Sequence, residues 1–503
     1  MKLASVLRYA PVQVSLRYQL PLPIDNHNVI GGLRLEAYRM NLLAMNKKGD
    51  QLYVAYGEHV LLFQFSERQS PVFQRELSVA PDTINMIKYA ELAATGPILV
   101  AACGNPVVET GAAVIYFLDV STASLVGQER VIFTMSCSVW GISICEKNGL
   151  IALSSNDHCI SVIRICLESE WGPQNRFFIV PSACRGHQHN IPSIDFSAYG
   201  RFIASASIDE TMRVWDLTTG QSVGFSEGCR MEREEDKWGW AVKWLPLESV
   251  KIIEREDPLY SYFFETTNTF MQPLLSNYNE EEEHSTTQVY SRRRRQTVRL
   301  QNEQIQSIPQ ILLHSDCLLT DDSEQGGLML LLQEIGLSLQ DLQAMKEENR
   351  NDKLLVFSQR NFLHLLRGGD LYQLVFLPQV APLNNSGSLM RRGMFRLNLL
   401  DYAPELSLLA VGNQGIGTVS LCRLVRSRLG EFRIIIEDIL PQRAIVEDEQ
   451  VPLAGLCFRK GDSYSKFCPY YQLVLVYLNG VLQAYEIERR TETSPLDISA
   501  CSL

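Results

Sequence analysis

Short runs of alternating apolar and polar residues recur along most of this chain, and Gly, Asn, Asp or Ser turns separate them. The clearest example lies within residues 185–217, where the runs IPSIDF, FIASAS and MRVWDL are joined by the turn sequences SAYG and IDET. Alternation over about 4–8 residues is typical of a half-buried strand. This stretch therefore predicts an antiparallel meander.

A second copy of the pattern lies directly upstream. LIALSSNDHCISVIRI (150–165) aligns without a gap on FIASASIDETMRVWDL (202–217), with Asp157 in place of Asp209 and Ile163 in place of Trp215. Leu153 stands where the other copy has a serine, so apolar residues fill both slots that lose their polar partners. The repeat can therefore keep its geometry while its polar signature is lost.

Similar units divide the chain at a nearly regular pitch. They cover residues 33–66, 84–120, 137–168 and 187–217, a fifth unit that begins at 237–246, and two more at 395–424 and 452–487. The early run PVQVSLRYQL is expected to pair with the last unit and to close a ring without a free sheet edge. Seven units predict an all-β propeller of seven blades, and six or eight blades stay open at this point.

One long segment interrupts the fifth unit. It lacks strand alternation and contains NYNEEEEHSTTQVYSRRRRQTVRLQNEQIQ, so we expect it to be partly disordered. Helical spacing of apolar residues near 328–350 predicts one helix packed on the propeller. The expected organisation is blades 1 to 4 and the start of blade 5 in 1–246, the insertion in 247–350, the remaining propeller in 351–490 and a flexible tail in 491–503.

Gly-His near the start of the clearest unit and Trp-Asp near its end resemble the WD40 repeat. By that resemblance His187, Ser205, Asp209 and Trp215 form a hydrogen-bonded tetrad with a structural role. Loss of one member would strand a buried polar neighbour at a cost of about 1–3 kcal/mol. The alternative of a zinc site at Cys184, His187 and His189 lacks a second ligand pair at suitable spacing.

Four tryptophans near predicted strands either pack in the core or contribute to a binding surface. We expect Trp140 and Trp244 to pack in the core. Strand alternation would put Trp238 and Trp240 on one face, where core packing and partner binding both stay open.

Composition restricts the compartment and the partners. The N-terminal residues lack an uninterrupted apolar signal segment, and no apolar run is long enough to span a membrane, so an intracellular protein without a membrane association is expected. Twelve cysteines without regular spacing favour reduced thiols. A net charge of −11 disfavours direct nucleic-acid binding.

One basic cluster stands out against this acidic background, at Arg292, Arg293, Arg294 and Arg295. Such clusters serve as nuclear import signals or nucleic-acid contacts, or they form a solvated loop of mixed charge. We name these four residues as the candidate import signal, which predicts a nuclear and cytoplasmic distribution.

Several longer stretches go beyond a generic repeat, and the most specific are WGISICEKNGLIALSSNDH and GHQHNIPSIDF. With neighbouring pieces in the same order over residues 33–487, they resemble the fungal Crt-ten family. That resemblance implies a nuclear regulator of ribonucleotide reductase gene transcription in the DNA damage or replication stress response, or a substrate adaptor of a cullin ubiquitin ligase. Many such adaptors carry Arg two residues after the Asp of Trp-Asp, where this chain has Thr218.

Catalytic motifs are missing from the sequence: there is no P-loop, no His-Glu-x-x-His and no Gly-x-Ser-x-Gly. The glycines of GNQGIG (412–417) lie between two strand-like runs and predict a hairpin turn. We therefore expect a monomeric, non-enzymatic scaffold for protein–protein interaction, without a cofactor or metal. Its partners would be transcription regulators or a cullin ubiquitin ligase, and a general assembly platform is the remaining alternative.

Overall fold

Seven separate β-sheets make up the computed structural model of this chain, six with four strands and one with five. The structure describes residues 12–23, 39–66, 70–78, 80–93, 95–105, 110–118, 125–165, 177–227, 238–255, 337–349, 353–360, 362–367, 370–376, 396–441, 451–461 and 471–489. Each sheet is one blade of a propeller. The seven-bladed all-β architecture predicted from the repeat pitch is thus confirmed.

The first strand, β1 (Val12–Pro21), joins the last blade, and the next four blades follow in chain order as antiparallel meanders. Blade 1 contains β2 (Leu43–Met45), β3 (Gln51–Tyr56), β4 (His59–Gln64) and β5 (Val72–Ser78), and blade 2 contains β6 (Ile84–Leu92), β7 (Gly96–Gly104), β8 (Gly111–Leu118) and β9 (Leu125–Met135). Blade 3 contains β10 (Val139–Cys145), β11 (Leu150–Ser155), β12 (Cys159–Ile165) and β13 (Phe177–Arg185), and blade 4 contains β14 (Ser193–Phe196), β15 (Phe202–Ala206), β16 (Thr211–Asp216) and β17 (Gln221–Glu227).

The remaining blades contain the insertion and the ring closure. Blade 5 contains β18 (Ala241–Leu245), β20 (Leu354–Ser358), β21 (Phe362–Arg367) and β22 (Asp370–Phe376), and blade 6 contains β23 (Leu397–Ala403), β24 (Leu408–Asn413), β25 (Thr418–Ser427) and β26 (Phe432–Leu440) together with β19 (Lys251–Ile253). Blade 7 contains β27 (Leu453–Lys460), β28 (Tyr471–Tyr477), β29 (Val481–Arg489) and β1. The antiparallel pairing of β1 with β29 covers the edge that blade 7 would otherwise expose.

The first strand of each blade contacts the first strand of the next, and β27 contacts β2 to complete the ring. Second and third strands such as β8, β11, β24 and β28 are buried along their whole length, so the core lies within and between the blades. The seven first strands surround a central channel. We call the end where these strands begin the upper face and the end where they turn into the second strands the lower face.

Side chains on the first strands also fasten neighbouring blades to each other. Asp195 on β14 accepts a hydrogen bond from the backbone N–H of Trp244 on β18, at 2.9 Å. In the same way, Asp401 on β23 accepts one from Phe458 on β27, at 2.7 Å. These carboxylates satisfy strand N–H groups that have no ladder partner on the channel side.

The insertion leaves blade 5 at the lower face and is anchored on both sides. β19 runs parallel to β25 and lengthens blade 6, which the sequence pattern did not predict. On the other side, helix α1 (Leu339–Glu347) packs Leu342 and Met345 into the core between blades 3 and 4. The expected helix is therefore present and packed on the propeller. Its expected N-terminal part and the charged run of the insertion lie outside the described residues.

Glu348 follows α1 and ties it to the turn between β14 and β15. Its carboxylate is buried and accepts hydrogen bonds from Ser197 Oγ at 2.8 Å and from the backbone N–H groups of Tyr199 and Arg201, both at 3.2 Å. Lys353 Nζ lies 3.1 Å from the same group. The lower face of blade 4 is thus covered by the chain's own insertion.

Candidate functional site

The four side chains of the predicted tetrad lie in one continuous chain in blade 4. The indole N–H of Trp215 donates to Ser205 Oγ at 2.8 Å, and Ser205 Oγ lies 2.8 Å from His187 Nε2. His187 Nδ1 lies 2.8 Å from Asp209 Oδ2. The chain runs from the buried interior of the blade to its upper face.

Asp209 links the segment before β14 to the turn after β15. Beyond its contact with His187, it accepts hydrogen bonds from the backbone N–H groups of Gln188 at 2.8 Å and Thr211 at 3.0 Å. Burial opposes ionisation of this carboxyl group, but the hydrogen bonds and the charge of His187 outweigh it, so the pKa of Asp209 lies well below its usual range. The tetrad therefore connects the segment before β14 to the turn after β15 through hydrogen bonds.

Blade 3 keeps the turn but not the tetrad. Asp157 Oδ1 accepts from the backbone N–H of Cys159 at 3.0 Å, as Asp209 does from Thr211. Leu153 and Ile163 are buried at the positions that the alignment gave them. Apolar packing thus replaces the indole and hydroxyl within the same strand geometry.

β-Bulges interrupt the first strands of four blades near the upper mouth of the channel. The pairing register of the first strand skips one residue in blades 2, 3, 6 and 7, and the skipped residues are Asn85, Trp140, Asn398 and Ala454. A bulge re-aims a side chain, and of these four residues Trp140 is half-buried whereas Asn85, Asn398 and Ala454 are buried. Sequence alternation gives no sign of such skips.

Two arginine–tryptophan pairs lie at this mouth. The guanidinium of Arg39 lies 5.8 Å from the ring centre of Trp140, and that of Arg396 lies 4.4 Å from Trp240. Arg396 Nη2 donates to the carbonyl of Arg39 at 3.2 Å, which joins the two pairs. Trp238 packs edge-on against Trp240 at 5.9 Å.

The predicted core positions of two tryptophans have different outcomes. Trp244 is half-buried and packs against the core cluster of blades 4 and 5, whereas Trp140 is half-buried outside the core clusters of the described residues. Trp240 is buried while Trp238 stays half-exposed. Gly239 holds this turn close to blade 4: its N–H donates to Ser207 O at 2.9 Å, and a Cβ there would lie 2.8 Å from the same oxygen.

Below the mouth, the channel contains a chamber of about 260 Å³ with two lysines and two aspartates. Lys88 Nζ lies 3.8 Å from Asp195 Oδ1, and Lys243 Nζ lies 3.7 Å from Asp401 Oδ1. Enclosure in the channel lowers the pKa of Lys88, since removal from water penalises the ammonium ion.

The sequence also raised a metal site and an arginine cluster. No three His, Cys, Asp or Glu side chains converge on a metal position among the residues that the structure describes. Cys184 is buried in the core, and both ring nitrogens of His187 are engaged within the tetrad. The arginine cluster 292–295 lies outside the described residues. None of the described helices is long and apolar enough to cross a membrane.

Residues 180–216 match the family model "WD domain, G-beta repeat". The match covers the end of β13, the His187 segment and blade 4 through Trp215 and Asp216, where the tetrad lies. Blade 4 is therefore similar to a WD40 repeat.

Similar proteins also carry WD repeats. A WD40 repeat-containing protein of Dictyostelium discoideum is 28% identical over 46% of this chain and 31% of its own length. An uncharacterized WD repeat-containing protein of Schizosaccharomyces pombe is 25% identical over 40% of this chain and 43% of its own. The chain therefore spans less than half the length of these curated relatives.

One similar solved structure is titled "Crystal Structure of Mitotic Checkpoint Complex". It shares 11% sequence identity with this chain at a TM-score of 0.49, and the match covers 95% of this chain and 93% of the other. The propeller assignment stands on the seven sheets and their ring of contacts.

Proposed function

We propose that this WD40 propeller is a non-enzymatic scaffold in the nucleus that regulates transcription of ribonucleotide reductase genes during DNA damage or replication stress. WD40 propellers are generally non-catalytic scaffolds that bind proteins. The specific role is supported by the resemblance to the Crt-ten family, whose most specific stretches are WGISICEKNGLIALSSNDH and GHQHNIPSIDF.

Both stretches contribute to the upper face of this chain. The first begins with Trp140 at the channel mouth, and the second contains His187 of the tetrad and His189, which stacks on His158 at 6.0 Å. Aromatic and arginine side chains are enriched in the energetic centres of protein interfaces. We therefore assign partner binding to the half-buried rings of Trp140 and Trp238 at the mouth, behind which Arg39 and Arg396 lie buried, while the insertion occupies part of the lower face.

A substrate-adaptor role in a cullin ubiquitin ligase is the alternative. The position where many such adaptors carry Arg is Thr218, which is buried and donates to Asp216 Oδ1 at 2.6 Å. Asp216 Oδ2 instead accepts from Arg201 Nη2, at 2.8 Å. A threonine at that position supports the transcriptional role over the adaptor role.

Proximity labelling of the tagged, full-length protein in its native cell, with and without replication stress, separates the two roles. Chromatin and promoter-bound factors among the stress-dependent neighbours would support transcriptional regulation. Cullin and ubiquitin-ligase components in their place would contradict it and support the adaptor role. Neighbours of neither kind would contradict both.

Nuclear import is proposed to depend on the arginine cluster. Replacement of Arg292, Arg293, Arg294 and Arg295 with Ala is expected to lower the nuclear fraction, because import receptors bind clustered positive charge. Fluorescence imaging of the tagged variant measures this fraction. Unchanged nuclear accumulation would remove the cluster from the proposal.

A further inference from the structure

The chamber below the channel mouth holds two ammonium groups whose hydrogen-bond donors are not used. Among the described residues, neither ammonium group makes a hydrogen bond, and each forms a long ion pair with the nearest carboxylate oxygen, at 3.8 Å for Lys88 and 3.7 Å for Lys243. A hydrogen bond between N⁺–H and a carboxylate spans about 2.7–2.9 Å. Each ammonium group therefore keeps donors that can reach into the chamber.

The two carboxylates of the chamber are already occupied. Asp195 accepts from Ser143 Oγ at 3.1 Å and from the backbone N–H of Trp244 at 2.9 Å. Asp401 accepts from the backbone N–H groups of Tyr402 at 2.9 Å and Phe458 at 2.7 Å. These bonds hold the carboxylates against the walls, so that they form only long ion pairs with the lysines, at 3.8 Å for Lys88 and 3.7 Å for Lys243.

A third polar group lines the same chamber. Asn398 is only 3% exposed, and its Oδ1 is a buried acceptor without a hydrogen-bond partner among the described residues. Its Nδ2 donates to Gln414 Oε1 and to the carbonyl of Arg39, both at 3.3 Å. Burial of a polar atom without a hydrogen-bond partner costs free energy. Such an atom therefore indicates a position where a polar ligand would be stabilised.

We propose that this chamber binds a small oxyanion through Lys88 and Lys243, with Asn398 accepting a hydrogen bond from a hydroxyl group of the anion. Hydrogen phosphate has this combination of charged oxygens and one O–H. The volume of about 260 Å³ admits such an ion. The ion would link blades 2, 5 and 6 from inside the channel.

Isothermal titration calorimetry of the full chain with inorganic phosphate tests this site, with chloride at matched ionic strength as the blank. The wild type is expected to bind one phosphate saturably, and Lys88→Met and Lys243→Met should each weaken binding at least about tenfold, since each removes a charged donor. Lys47→Met is the matched control, because Lys47 pairs with Glu146 on the lower face at 2.7 Å. It should bind as the wild type does.

Two further results would overturn the proposal. One is a wild-type chain that shows neither saturable phosphate binding nor a phosphate-dependent rise in its unfolding temperature, which needs no variant to fold. The other is folded Lys88→Met and Lys243→Met variants that keep wild-type affinity. Neither result bears on the scaffold role, which is tested by partner recovery.

Discussion

Trp215 is fully enclosed in blade 4, and its one polar atom ends the tetrad. Its indole N–H satisfies Ser205 Oγ, which also approaches His187. In a buried chain of this kind, each member satisfies the next, so loss of one leaves a polar group without a partner. The energetic role of the tetrad is therefore open to a direct test at single residues.

Trp215→Phe is expected to lower the free energy of unfolding by about 1–3 kcal/mol, because the phenyl ring keeps most of the packing but donates no hydrogen bond. Trp244→Phe is the matched control: its indole donates to Asp195 O at 3.1 Å, but the side chain is only half-buried. Denaturant unfolding of both variants measures the difference. A Trp215→Phe chain as stable as the wild type would contradict the assigned role.

His364 in blade 5 gives a pH prediction. Burial lowers its pKa from 6.5 to about 4, and its Nε2 lies 2.8 Å from Gln359 Oε1. The unfolded chain takes up the proton first, so this histidine's contribution is present above about pH 6.5 and is lost as the pH falls toward 4. Between pH 7 and pH 5 the wild type should lose about 2 kcal/mol that His364→Leu does not lose. Equal losses in the two chains would contradict this.

At the level of elements, the local sequence pattern predicts the strands and turns. It does not predict the contacts between elements that are distant in the sequence. The alternation of apolar and polar residues predicted the meanders and the pairing of β1 with the last blade. Helical spacing of apolar residues predicted the helix that the structure shows as α1. The three-residue strand β19 pairs with a strand far along the chain, and the bulge at Trp140 depends on register between strands. Neither leaves a periodic signal in the sequence.

The anchoring of α1 also depends on a residue that no motif marks. Glu348→Ala is expected to lower the free energy of unfolding by about 1–3 kcal/mol, because it leaves the buried hydroxyl of Ser197 and the partly buried N–H groups of Tyr199 and Arg201 without their acceptor. Glu347→Ala is the neighbouring control, since Glu347 is exposed and, among the residues that the structure describes, accepts a hydrogen bond only from Gln343 within the helix. Indistinguishable stabilities would show that Glu348 does not fasten the insertion.

At the level of the whole molecule, a closed ring offers two faces and a channel mouth in fixed geometry. The tetrad residues were predicted from the one repeat that keeps its signature, and the structure brings all four together. The mouth residues Arg39 and Arg396 were missed, since they come from distant blades and only ring closure makes them neighbours. A surface formed in this way has no linear motif in the sequence.

Quantitative affinity purification and mass spectrometry of the full-length chain test the scaffold account most directly. Trp238→Ala removes the half-exposed ring at the mouth, and Tyr199→Ala, a 40% exposed ring on the lower face, is the control. With unfolding temperatures verified, Trp238→Ala should recover the wild type's protein partners at least about tenfold less, since interface aromatics carry much of the binding energy. Tyr199→Ala should retain them. A folded Trp238→Ala chain that recovers the same partners in the same amounts would contradict the account.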